Sequence, residues 1–348
     1  MMKKKLSLLL AAAMSLTLMA GCVKTPPAPP QEGPEVVEPT PDPSSDSEGV
    51  VPINFAVLSG PTGVGAAKLL SDAQAGGTQM TYHTSVAATN DEITPALING
   101  TLDIAAVATN LAANLNAKTE GGVQVLCVNT LGVLYILEKG DTVHEMADLK
   151  GKTLYAPSNT KGANPEHILN HLLTENGVQP SEVDIQWLTA QEITAKMTTE
   201  DAGICMLPVP AATAVMAKDA SVREAISLSE AWEQVEESPL PMGCVVARTE
   251  FVENNPEAVA AFLAEYEASI SFISDEANRA EASEMIAQLG ITPSAGIAAK
   301  AIPQCNLTFV TGEEMKDMLE DYYRILFKNA PGSIGGAMPY DEFYYGLE

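Results

Sequence analysis

Basic residues are scarce in this chain. Its 348 residues hold 19 Lys and Arg against 45 Asp and Glu, a formal charge of −26. Phosphate backbones would repel such a surface, which excludes nucleic-acid binding. Cysteine is also sparse, at five, too few for a disulfide-built scaffold, and no Cys-x-x-Cys pair supports redox catalysis. No Ser/His/Asp set or carboxylate pair stands out as catalytic machinery. The apolar run near the start, Leu6–Ala20, is short for a membrane-spanning helix. What is present is 46% hydrophobic content, enough for a sizeable core, over a length that suits two domains or one large one.

The N-terminus reads as an address. Lys3, Lys4 and Lys5 precede the apolar run, and small residues Ala20 and Gly21 precede Cys22, the layout of a secretory signal. Leu18-Met19-Ala20-Gly21-Cys22 resembles a bacterial lipobox, which implies removal of residues 1–21 and lipidation of Cys22. Loss of three lysines would leave 16 basic against 45 acidic residues, a mature charge of −29. Residues 23–49 hold eight prolines, six acidic residues and no aromatic residue, so residues 22–49 are expected to be a lipidated, extended tether. The folded part is then expected just outside a membrane, on the outer face of the cytoplasmic membrane.

From residue 50 the pattern is α/β. Ile53–Leu58 reads as a strand, Val64–Ala73 as a helix, Met80–Val86 as strand, Asp91–Asn99 as helix, and Ile104–Val107 as a buried strand before a helix from about Leu111. Val123–Val128 and Leu131–Leu137 are two more strands. The order restarts with strand Lys152–Ala156, helix Pro165–Asn176, strand Val183–Trp187, helix Gln191–Thr198, strand Ile204–Leu207 and helix Ala211–Lys218. After strand Gly243–Ala247 the chain reads as helical over Pro256–Ile273, Ala280–Leu289 and Gly312–Lys328. Two similar lobes, each an open, mainly parallel sheet flanked by helices, are the simplest account.

Facing lobes would bring four turns to one cleft: Ser59–Gly63, Thr109–Asn110, Pro157–Gly162 and Pro208–Pro210. Each precedes a helix, so free N–H groups and positive dipole ends would suit a carboxylate, sulfonate, phosphate or strongly polar neutral group. Lys161 is the one formal charge in these turns, and no carboxylate lies there, which ranks organic cations lower. The candidate ligand-binding residues are Ser59, Thr62, Gly63, Thr109, Asn110, Ser158, Asn159, Thr160, Lys161, Gly162, Pro208 and Val209.

Other patterns carry less. Gly60–Gly65 has the glycine frame of a phosphate loop, but Ala66 and Ala67 stand where Lys and Ser/Thr are needed. Lys68 likewise fails to close a dinucleotide-type glycine pattern. His167 and His171 share a helix face and could jointly hold a metal, but no third ligand is evident beyond Glu166; a solvated face is the reading preferred, with no metal and no cofactor expected. Cys127, Cys205 and Cys244 sit in apolar strands and read as buried free thiols, while Cys305 is left open. Trp187, Tyr82, Tyr135 and Tyr155 lie on or beside strands, as core or as cleft-lining rings.

The chain resembles the substrate-binding lipoproteins of ABC importers, with the type II periplasmic-binding-protein fold, of the group that serves thiamine precursors, nitrate, sulfonates and taurine. The resemblance is carried by Leu97–Val107 with Thr109-Asn110-Leu111, by Leu149–Ala156, by Gly162-Ala163-Asn164-Pro165-Glu166, by Met206–Pro210 and by Ser333–Pro339. It spans about residues 51–345. It implies two lobes, 50–130 plus 243–348 and 131–242, joined by crossings near Thr130–Tyr135 and Met242–Ala247. It also implies a small-molecule ligand between the lobes, importer permease subunits as partners, a membrane anchor through Cys22, and a monomer that is not an enzyme. His167 and His171 stand where close relatives are expected to carry tyrosines. Two other roles fit the same scaffold: an enzyme like the yeast-type pyrimidine synthases, whose suggested cysteine cluster is missing, and a ligand-sensing lipoprotein.

Overall fold

The computed structural model describes residues 51–347. The signal, Cys22 and the tether lie outside the described residues. Eleven strands form two separate sheets. The first contains β1 (Ile53–Leu58), β2 (Tyr82–Ala87), β3 (Ile104–Ala108), β4 (Val123–Thr130), β10 (Gly243–Arg248) and β11 (Leu307–Val310) in the order β11-β4-β10-β3-β1-β2. The second contains β5 (Leu134–Lys139), β6 (Thr153–Pro157), β7 (Asp184–Leu188), β8 (Gly203–Pro208) and β9 (Val222–Ser227) in the order β7-β6-β8-β5-β9.

In each sheet parallel pairs are joined by reversed strands, β10 and β11 in the first and β5 in the second. β1 pairs parallel with β2 and β3, and β10 inserts antiparallel between β3 and β4. β6 pairs parallel with β7 and β8, and β5 runs antiparallel to β8 and β9. In each lobe the first strand laid down after the chain crosses over, β10 or β5, is a reversed one. The sheets are therefore mixed, on the two-lobed α/β plan expected.

The first link between the sheets falls within the expected Thr130–Tyr135, while the return lies upstream of its expected span. Leu131-Gly132-Val133 is a link between β4 and β5, not the start of a strand. The return runs through 234–242, upstream of the expected Met242–Ala247, because Gly243–Arg248 is fully committed to lobe one as β10. The helix expected over Val64–Ala73 is broken into Pro61–Val64 and Ala67–Ala75. Where it breaks, a Cβ on Gly65 would stand 3.1 Å from Ile270 of the long helix Pro256–Ser274.

Two apolar cores cover the two faces of the sheets, and each includes residues of both lobes. One is centred on Phe55, Phe262 and Tyr266, with Phe55 and Phe262 rings 5.1 Å apart. The other holds Trp232, Tyr322, Tyr323 and Phe343. Its anchor is the helix Gly312–Asn329, which buries Met315, Met318, Leu319, Tyr322, Tyr323 and Leu326 at the spacing of one helical face. Cys127, Cys205, Cys244 and Cys305 are buried free thiols; burial pushes the Cys205 and Cys305 thiols up to about 12. No helix among the described residues is long and apolar enough to cross a membrane.

Candidate functional site

The carboxyl ends of β1, β2 and β3 face those of β6 and β8 across a cleft of about 470 Å³. Lobe one contributes Leu58, Ser59 and Thr62 after β1, Thr89, Asn90 and Asp91 after β2, and Ala108 after β3. Lobe two contributes Asn159 after β6, Asn164 at the start of helix Asn164–Glu175, and Pro208 after β8. Thr130, Val133, Leu134 and Met242, from the crossings and the strand ends beside them, complete the lining.

Of the residues expected to touch ligand, Ser59, Thr62, Asn159 and Pro208 line this cleft. Thr109 does not. Its hydroxyl donates to Pro241 O at 2.9 Å and its N–H to Met242 O at 3.2 Å, so it ties the return crossing to lobe one. Those bonds also occupy an N–H group expected to serve an anion. Val209 is fully buried, and its N–H donates to Val133 O at 3.1 Å, joining lobe two's turn to the first crossing. Gly63 is buried under its own strand end: a Cβ there would stand 2.4 Å from Leu58 O, so only glycine fits. Thr160 donates to Pro157 O at 2.6 Å, and the Gly162 N–H donates to the Glu166 carboxylate. Asn110, Ser158, Thr160, Lys161 and Gly162 are not among the lining residues.

What sequence reasoning missed is more telling. Thr130 and Asn164 are 1% and 3% exposed, yet Thr130 Oγ1 and Asn164 Nδ2 have no hydrogen-bond partner. Asn90 Oδ1, in the same lining, is also buried and unpartnered. Leaving one such group unpaired costs about 1–3 kcal/mol, so three around one cavity mark a place made to be filled. Behind them, Asn129 donates to Tyr266 OH at 2.7 Å and to Thr62 O at 3.3 Å, holding the first turn in place. Asn164 and Thr130 both fell inside segments singled out for the family pattern and the crossing. Their buried polar character is the signal that could have distinguished them.

The electrostatics also differ from expectation. A fifth turn, after β2, brings the exposed Asp91 to the lining, which contains no Lys, Arg, His or Cys. The four tested aromatics stand elsewhere. Tyr82 donates to Glu265, burial and that carboxylate raising its pKa; Tyr155 donates to Glu200 at 3.1 Å; Tyr135 is 6% exposed; Trp187 packs beside the core. His167 and His171 do not form the solvated face expected: His171 is 6% exposed, and burial holds the half-buried His167 below the usual imidazole range.

Comparison with known proteins gives these features a setting. Residues 120–282 match the family model described as NMT1/THI5 like. No curated protein matches the chain. An ABC transporter protein from Parabacteroides distasonis is similar in structure, at 22% identity and a TM-score of 0.71, over 84% of this chain and 98% of that one. The periplasmic aliphatic sulphonate binding protein of Escherichia coli aligns over 82% of this chain and 95% of its own, at 14% identity and a TM-score of 0.66. The alkanesulfonate-binding protein of Xanthomonas axonopodis, bound to MOPS, aligns over 80% and 93%, at 13% identity and a TM-score of 0.60. The chain thus has the type II periplasmic-binding-protein fold of these structures, and its residues 120–282 are similar to the NMT1/THI5-like model.

Proposed function

We propose that the chain is the extracytoplasmic substrate-binding component of an ABC importer, held at the membrane through a lipid on Cys22, and that it captures a small polar organic molecule between its lobes. The observation that carries this reading is that three residues lining one inter-lobe cavity of about 470 Å³, Asn90, Thr130 and Asn164, each hold a buried polar atom without a partner. A ligand satisfying all three draws the lobes together, because Asn90 and Asn164 belong to opposite sides. It shifts the open–closed equilibrium by its differential affinity alone; moving 1:99 to 99:1 takes about 5.5 kcal/mol. The closed form, a monomer, would then dock on the permease subunits and release its cargo to them.

A broad metabolite screen by thermal shift and native mass spectrometry tests this. A true ligand at a hundredfold excess over its Kd adds about 2.7 kcal/mol to stability. Absence of any ligand-linked stabilisation across such a library removes the reading.

A further inference from the structure

The Asn164 carboxamide has two ends, and the structure decides which one is left free. Tyr322, on helix Gly312–Asn329 of lobe one, is 1% exposed, and its hydroxyl bonds to Asn164 Oδ1 in lobe two. Among the described residues that hydroxyl has no other partner. A buried phenol must place its proton on an acceptor, and a carboxamide nitrogen offers none. The oxygen of Asn164 therefore faces Tyr322, and the nitrogen is left buried and unpartnered on a residue that lines the cleft. The ring cannot swing away, for it packs against Trp232 at 5.8 Å and Tyr323 at 6.1 Å. Burial raises its pKa well above the usual phenol range, so it stays a donor at any physiological pH.

We infer that Tyr322 is a specificity-determining positioning residue, and that it makes the cleft selective for uncharged organic molecules that carry both a carbonyl-type acceptor and an N–H or O–H donor. The inference rests on the binding-protein reading above. Asn164 Nδ2 demands an acceptor, Asn90 Oδ1 demands a donor, and the Thr130 hydroxyl serves either. An anion would satisfy Asn164, but it would meet the Asn90 oxygen and the Asp91 carboxylate with no basic residue in the lining to offset them. An organic cation would suit Asp91 and Asn90 but leave Asn164 Nδ2 buried without an acceptor. A neutral molecule with both groups is the class that satisfies all three positions. Because the Tyr322–Asn164 bond joins the lobes, the donor is locked in place only when the cleft is closed.

The test uses the full-length chain, with three arms of probes measured by thermal shift and native mass spectrometry. Nicotinamide, allantoin and 2-pyrrolidone form the neutral arm; methanesulfonate, nitrate and succinate the anionic arm; choline and putrescine the cationic arm. Stabilisation confined to the neutral arm is expected. Tyr322→Phe should weaken the best neutral probe about tenfold, since the freed carboxamide can turn either end to the cleft. The variant should also lose discrimination, the cationic arm gaining relative to the neutral one because the carboxamide oxygen can now turn toward the ligand, a change that a purely structural role would not produce. Asn164→Asp, which replaces the donor by an acceptor, should abolish neutral-arm binding. Binding confined to charged probes, or a Tyr322→Phe affinity equal to wild type, overturns this inference and leaves the binding-protein reading standing. Silence in all three arms overturns it as well; silence across the broad metabolite library removes the reading beneath it.

Discussion

His171 Nε2, on the lobe-two helix Asn164–Glu175, stands 2.7 Å from Glu236 Oε1 on the return crossing, and Asn329 at the end of lobe one's helix Gly312–Asn329 reaches the other ring nitrogen at 3.2 Å. The ring also packs against Trp232 at 5.2 Å. One side chain thus joins both lobes and the link between them. It is not the solvated residue that its spacing from His167 suggested, since both ring nitrogens are taken up within the fold.

His171→Ala should destabilise the protein by about 2 kcal/mol, since it leaves Glu236 and Asn329 without their partner and opens space beside Trp232. His171→Gln, which keeps a donor, should recover part of that loss. Urea unfolding of both variants measures it; an alanine variant as stable as the wild type would show that the contact contributes nothing.

Glu138 gives a pH-dependent contribution. Its carboxylate is almost fully buried and accepts from Thr142 N–H at 3.0 Å, Thr142 Oγ1 at 2.7 Å and Val143 N–H at 3.0 Å, with Arg223 at 2.5 Å. Burial alone would raise its pKa, but the Thr142 and Val143 hydrogen bonds and the Arg223 charge together hold it below the usual 4.5. A carboxyl lowered in the folded state stabilises fully above its ordinary value, and that stabilisation is lost as pH falls through the folded one. Glu138→Gln should therefore cost about 2 kcal/mol at pH 7, and the gap between variant and wild type should narrow below pH ~4.5 in melts taken from pH 7 to pH 3. A gap that stays constant over that range would mean the charge is not what stabilises the site.

Much of the architecture was legible because buried strands such as Ile104–Ala108 and Gly203–Pro208 are short apolar runs closed by turn residues. β9 and β11 were not legible. Both are edge strands, and VREAIS and LTFV are only partly buried, so neither carries a strong apolar signal. Ser59, Thr62, Asn159 and Pro208, from turns read in the sequence, line one cavity, yet its chemistry was hidden in contacts between distant positions. Thr109 looks like a ligand contact until Pro241, 132 positions on, takes its hydroxyl. Asn164 looks like an ordinary helix start until Tyr322, 158 positions on, orients it. Side-chain orientation of this kind comes from tertiary packing, which local pattern does not encode.

The first crossing depends on a glycine. A Cβ on Gly132 would stand 2.1 Å from Ser229 Oγ, 3.0 Å from Ser229 Cβ and 3.2 Å from Leu240, on the helix Leu228–Glu233 and the return crossing. Gly132→Ala must push the two crossings apart, at a cost of roughly 1–3 kcal/mol. Small-angle scattering should report a larger radius of gyration for this variant than for wild type. An unchanged profile and melting temperature would show that Ser229 turns aside without effect.

Thr130 separates stability from function most cleanly. Its hydroxyl is buried at the base of the cleft without a partner, so the unliganded protein carries a desolvated polar group for which the fold itself supplies no bond. Valine has nearly the same shape and no polar atom. Thr130→Val should accordingly leave the unliganded protein as stable as wild type or up to about 1 kcal/mol more stable, because an unsatisfied group is removed and nothing is left unpaired. It should at the same time weaken whatever ligand uses the hydroxyl by about tenfold, read as a smaller ligand-induced rise in melting temperature. A variant that melts earlier than wild type without ligand would mean that the hydroxyl is bonded within the protein, and the cleft would then lose one of the three groups that define its occupant.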